Sequence, residues 1–399
     1  MLGKKRKLHL IYAVMFLYPF LPILKEWDST IGTILEIALL LLIAAGSLIS
    51  IDGGAVDVRI GKNGLLYILI STIYLFVNCE NISYAISGYR CFILYYLIYT
   101  YFMKGDSTER YRKSWDATSA CVIVAVIMSL GCIVQFVRPD LIQSFHNPSS
   151  LPQLRAKTDW MPFSIYNRTL SFMTDPNILS VFLTFAFIIY YYRSKKSIIC
   201  NENKRKIGDL IIKILLLVGI TLTQSRTGIF LVVIFGLTLG VNSLLLKEKL
   251  STTKAFFLIV AIFAAGLFLI KKWDSILAYL RVDTLIQGNG RTLQNEKHVS
   301  MLFEDALRLF VGNGLFDGRT IIFENSYLMV AYMFGIIGTL VFLLSVMIAF
   351  KEVTSKDSFC ILMVFLAACY VGDYILIPQI TLPFIAALTL INAEKYKGV

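Results

Sequence analysis

Runs of apolar residues, each about 15–20 long and joined mostly by short polar connections, recur from one end of this chain to the other. A helix rises about 1.5 Å per residue, so roughly 20 residues cross a hydrocarbon core of about 30 Å. A soluble domain is about 45–50% apolar and roughly 25% charged; these 399 residues are 57% hydrophobic and 16% charged, with mean hydropathy +0.71. A single buried globular core cannot absorb that much apolar surface. The expected fold class is an all-α polytopic membrane protein, one integral membrane domain over residues 1–399.

Twelve runs are expected to form transmembrane helices, at about 8–24, 31–50, 64–78, 87–103, 117–136, 177–192, 208–223, 227–246, 255–270, 327–350, 358–373 and 380–393. The first follows "KKRK", but "YPFLPILKEWD" offers no small-residue cleavage site, so it reads as a retained span and not a signal peptide. The seven cysteines lie mostly inside these runs without CxxC or metal spacing and read as small apolar fillers.

Lys and Arg in short loops stay in the cytoplasm. With a cytoplasmic N-terminus, 23 of the 38 basic residues fall in inner loops, from Lys4 and Lys5 through Lys104 and Arg193 to Lys395 and Lys397. Both termini are therefore expected inside. The net charge of +12 is read as a topology signal facing anionic membrane lipid, with no nucleic-acid partner.

Two long outer loops, 137–176 and 271–326, depart from this pattern, and long loops in compact architectures usually carry function. In the first, "YNRTLSFMTDPNILS" brings Arg168 close to the sixth run. Asp175 and Pro176 suit a helix cap, while Arg168 suits either a lipid headgroup or a phosphate. In the second, Val299, Leu302, Phe303, Ala306, Leu307 and Phe310 recur at helical spacing and predict an amphipathic helix on the outer face. Arg291 precedes that helix and Glu324 precedes the tenth run. Between the seventh and eighth runs, "TQSRTG" becomes a tight outer turn carrying Ser225 and Arg226. No carboxylate follows Arg226 within ten residues. Alone, that Arg could snorkel to water; with Arg168 and Arg291 on the same side, it belongs to a group of guanidiniums able to receive a pyrophosphate.

These pieces together resemble the O-antigen polymerase and ligase superfamily, polytopic glycosyltransferases of the bacterial inner membrane. The likeness rests on Arg168 followed by Asp175-Pro176-Asn177, on "SRTG" at 225–228, on Arg291 upstream of "GNG" at 312–314, and on "ENSYL" at 324–328 followed by "GIIG" at 335–338. It covers roughly residues 165–340. Many relatives have His-Asn where this chain has Glu324-Asn325, a departure that favours polymerase over ligase or places the base elsewhere. His298 could substitute as base; it also reads as a plain surface residue.

The resemblance implies a GT-C-like fold with two periplasmic loops and a reaction that needs no metal or cofactor. Glycan would pass from undecaprenyl pyrophosphate to a sugar hydroxyl of another lipid-linked unit. It implies Arg226 and Arg291 on the pyrophosphate and Glu324 as base. Substrate contacts would come from Arg168, Asn177, Ser225, Asn325 and His298, and a chain-length regulator protein would be a partner. Independently, no Walker-type loop, Asp-x-Asp or clustered His/Cys set stands out. Two other readings are a ligase acting on lipid A core and, from a different class, a transporter of lipid-linked glycans. Transporters tend to bury charge at mid-membrane and to show related halves. Here Glu36, Arg90, Lys213 and Asp373 are the in-run charges, and no repeat is visible.

Overall fold

The computed structural model describes residues 10–52, 55–58, 62–77, 82–152, 168–197, 204–245, 299–315, 325–349 and 356–395. Eleven of the twelve apolar runs fall on helices there, and the ninth, 255–270, lies outside the described residues. The first run is not one uninterrupted α-helix. It divides into α1 (Leu10–Leu17), a 3-10 turn at Tyr18–Phe20 and α2 (Leu21–Trp27). Pro19 and Pro22 explain the division, since proline lacks an N–H and its ring crowds the preceding turn.

After α3 (Ser29–Leu48) the chain makes a two-stranded antiparallel hairpin, β1 (Ile49–Asp52) with β2 (Ala55–Val58), Ile49 opposite Val58 and Asp52 opposite Ala55. It is the one sheet among the described residues, so the all-α class stands with a short hairpin added. "IDGGAV" joins β-branched residues through Gly-Gly, a hairpin signal that the search for apolar runs passed over.

The helices that follow are α4 (Lys62–Val77), α5 (Ile82–Met103), α6 (Ser107–Val137) and α7 (Pro139–Gln143). Then come α8 (Pro176–Ser197), α9 (Lys204–Leu222), α10 (Arg226–Leu245) and α11 (Ala306–Val311). The last are α12 (Ser326–Ala349), α13 (Lys356–Val371) and α14 (Pro378–Lys395). The central post is α6, packed by α1, α8, α9 and α14, while α10 bridges α8 and α13, and α12 packs on α4 and α11. Phe365 and Phe384 stack at 3.9 Å where α13 meets α14, with Phe185 of α8 against both.

Among the described residues, three helical stretches, Leu10–Trp27, Ser29–Ser47 and Thr108–Val137, are long and apolar enough to cross a membrane, and four shorter apolar helices accompany them. Large apolar side chains such as Ile31, Leu41, Val137 and Leu237 stand outward, a surface suited to lipid. Two in-run charges match each other: buried Glu36 meets Arg90 Nη1 at 3.0 Å, and also the Tyr18 hydroxyl at 2.7 Å and Lys25, tying the first helices to α5. Buried ions need such pairing.

The two ends of the bundle differ. At one, Lys104 reaches Gly46 O, Lys113 reaches Lys104 O at 2.9 Å, and the Arg193 guanidinium covers Trp115 at 4.0 Å. These basic residues come from the loops predicted to share one side. At the other, α6 ends, α8 and α10 begin, and α13 ends. The contact of Thr238, late in α10, with Cys360, early in α13, fixes that antiparallel relation.

Candidate functional site

Three predicted residues meet at this second end. Arg168 donates from Nε to the Thr223 carbonyl (3.2 Å) and from Nη2 to Asn177 Oδ1 (2.8 Å), and the same Oδ1 accepts from Ser225 Oγ at 3.0 Å. Asn177 stands in the first turn of α8 because Asp175 caps it, accepting from the N–H groups of Asn177 (2.7 Å) and Ile178 (3.4 Å). Pro176 opens the helix, where its missing N–H costs nothing. The next residue after Ser225 is Arg226, the first residue of α10. The Arg168 guanidinium is thus pinned through two of its donors, and Ser225, bonded to the same Oδ1, precedes Arg226 in sequence; a planar guanidinium held in this way is suited to a phosphate or carboxylate, with the Asp175 carboxylate in the same turn of the bundle end.

The segment leading to this node is tightly held. Thr169 N–H donates to Leu222 O (3.1 Å), while Leu170 N–H (3.0 Å) and Ser171 N–H (2.8 Å) both donate to Gln135 Oε1. Among the described residues, Ser171 (φ 51°) and Gln224 (φ 49°) are the non-glycine residues with positive φ, and both flank the node. Left-handed backbone at such residues costs free energy and persists where neighbours enforce it, often at functional sites. Gln135, Thr223 and His146, which binds Ser171 O, were not legible as site residues. Gln135 carried the one local signal, a lone amide in the last turn of an apolar run.

Asn325 reaches the same end by another route. It lies before α12, where Ser326 N–H and Oγ donate to Gly372 O at 3.1 and 2.6 Å, just past α13. Its own Oδ1 accepts from Tyr327 N–H (2.8 Å) and Leu328 N–H (3.2 Å), so that oxygen is engaged in capping α12. Arg291, His298 and Glu324 lie outside the described residues.

The "GNG" and "GIIG" motifs pack on each other. Gly335 interrupts α12 with φ 63° and ψ −176°, and the carbonyls near the break are taken up by Asn313 N–H (Tyr332 O, 2.9 Å), Gly314 N–H (Met333 O, 3.0 Å) and the Tyr74 hydroxyl (Phe334 O, 2.8 Å). The outer-loop helix also differs from the expected continuous one. Residues 299–303 are helical, the helix breaks at 304–305, and Asp305 caps α11 by accepting from Leu307 and Arg308 N–H. Phe303 and Leu307 stand exposed at 68% and 71%, as an interfacial segment requires. The capping Asp305 restarts the helix although the apolar spacing runs on across it.

The chain matches no protein-family model, no curated protein and no solved structure.

Proposed function

We propose that this protein is a polymerase of lipid-linked oligosaccharide repeat units, acting at the outer face of the bacterial inner membrane. In this reading it is a GT-C-like protein of about twelve spans with both termini cytoplasmic, and its long loops are periplasmic. The observation that carries the reading is the Arg168–Asn177–Ser225 node beside Arg226. In favour of the reading, Arg168 and the start of α10 at Arg226 share the bundle end away from Lys104, Lys113 and Arg193.

In the proposed reaction, the hydroxyl oxygen of one lipid-linked unit attacks the anomeric carbon of another. The bond from that carbon to the pyrophosphate oxygen breaks, and the pyrophosphate leaves with the electron pair. Arg226 and Arg291 stabilise the charge that builds on it, Arg168 holds sugar phosphate, and Glu324 takes the proton of the attacking hydroxyl. Ser225, Asn177, Asn325 and His298 belong to the surrounding substrate contacts. A chain-length regulator would bind alongside.

Purified protein in liposomes with undecaprenyl-pyrophosphate-linked repeat units should build a polymer ladder. Arg226→Ala and Arg291→Ala should each slow it about a hundredfold, the cost of losing one charge-assisted donor of ~3 kcal/mol. Units that cross the bilayer without polymer forming would replace this reading with a transporter. Capping of lipid A core with finished glycan, strengthened by Glu324→His, would replace it with a ligase.

A further inference from the structure

The proposed chemistry makes no use of Glu26 or His146, which come together from positions 120 residues apart. His146 is 2% exposed, with Nδ1 2.8 Å from Glu26 Oε2 and Nε2 3.0 Å from the Ser171 carbonyl oxygen. A carbonyl only accepts, so Nε2 must carry a hydrogen. Neutral imidazole has one N–H, and with it spent on Ser171, Nδ1 would present a lone pair to a carboxylate. The contact therefore requires a second proton, either on Nδ1 beside ionised Glu26 or on Glu26 itself.

Neighbouring bonds make this a closed joint. Ser150 Oγ donates to Glu26 Oε2 (3.1 Å), Asn147 Nδ2 to Glu26 O (2.7 Å), and Trp27 Nε1 to Phe145 O (2.8 Å). The charged residues on the enclosing segments are Lys25 and Asp28 beside Glu26, Arg138 and Asp140 at α7, and Arg168 and Asp175 around the node. Among the described residues, Glu26 is the carboxylate within ion-pair reach of His146. Ser171 is thus gripped from both sides, by Gln135 at its N–H and by His146 at its carbonyl, in the left-handed conformation that feeds Arg168 into the node.

We propose that Glu26 and His146 form a proton-dependent latch that holds Ser171, and through it positions Arg168 on Asn177 and Thr223. With the shared proton the joint is closed. Without it, the neutral ring has one N–H for two acceptors, so either Glu26 Oε2 or the Ser171 carbonyl is left facing a lone pair, and the joint opens. Glu26→Gln should keep it closed without that proton, because the amide can donate to Nδ1 while Nε2–H stays on Ser171. His146 and Glu26 are positioning residues here, and the inference stands apart from the polymerase reading because its test needs no substrate.

Hydrogen exchange of the full chain in lipid nanodiscs reads the latch at the amides of Thr169, Leu170 and Ser171, as protection factors that divide out the intrinsic effect of pH. In wild type, protection should fall about tenfold or more as pH is raised from roughly 6 to roughly 9, while amides of α8 stay unchanged. Glu26→Gln should hold its protection across that range, and His146→Ala should lack it throughout. A pH profile of Glu26→Gln identical to wild type would overturn the latch, as would wild-type protection in His146→Ala. If His146→Ala does not fold, the profile of Glu26→Gln against wild type decides alone.

Discussion

Gly312→Ala and Gly335→Ala should each destabilise the protein by about 3 kcal/mol or more, seen as a large drop in thermal midpoint by size-exclusion fluorescence in detergent. Gly312 has φ 89°, and a Cβ there would overlap Met333 O and the backbone of Phe334 and Gly335. Gly335 combines φ 63° with ψ −176°, a region essentially confined to glycine, and a Cβ on it would sit 2.5 Å from Gly312 N and Phe310 O. Neither neighbour can yield, because both are main chain held by the bonds from Asn313 and Gly314 across the break. Gly236→Ala and Gly240→Ala are the controls. Both lie in α10 with nothing within 4 Å of the added methyl, so the usual helix preference for alanine should leave them neutral or more stable by about 0.5–1 kcal/mol. A Gly312→Ala protein as stable as these controls would mean that the crossing does not hold α12 to its neighbours.

That crossing alters the meaning of two motifs. In the sequence, "GNG" and "GIIG" are markers of resemblance. In the structure they are the two halves of one main-chain contact, and their small residues serve close approach. Broken helices inside an apolar bundle must re-satisfy the carbonyls they free, and here a loop and a tyrosine do so. The motif positions were legible; their mutual contact was not, because it depends on a backbone conformation that no periodicity encodes.

The same division runs through the molecule. Apolar length placed helix under eleven of the twelve runs, since burial in lipid rewards an apolar run whatever it packs against. The cap at Asp175-Pro176 was legible because it is local. The first run's break follows from two prolines that were in plain view but were outweighed by its hydropathy. Glu36 read as an isolated in-run charge, and its partners Lys25, Arg90 and Tyr18 come from three other elements. His146 gave no signal at all: its value comes from Glu26, Ser171 and its own burial, none of them near it in sequence.

The largest expected effect on activity comes from Asn177→Asp. Asn177 Oδ1 accepts from both Arg168 and Ser225, and an Asp carboxylate oxygen in the same place accepts from both at least as well. The fold should therefore survive, with a thermal midpoint equal to or above wild type. The charge of the node would change by one unit, since the new carboxylate adds a negative charge on Arg168 and one hydrogen bond from Ser225, the residue before Arg226, where in this reading a pyrophosphate would have to sit. If these arginines receive an anionic substrate, polymer formation should fall by about a hundred- to a thousandfold in a protein that is fully folded. If Arg168 only braces α8 against the turn before α10, the same substitution strengthens the brace and activity should be unchanged. Asn177→Leu separates the two effects from the other side: it removes the acceptor, lets Arg168 leave Thr223, and should lower stability by roughly 1–3 kcal/mol along with activity. A stable, inactive Asn177→Asp beside a destabilised Asn177→Leu would assign the node to substrate charge, and a stable, active Asn177→Asp would assign it to packing.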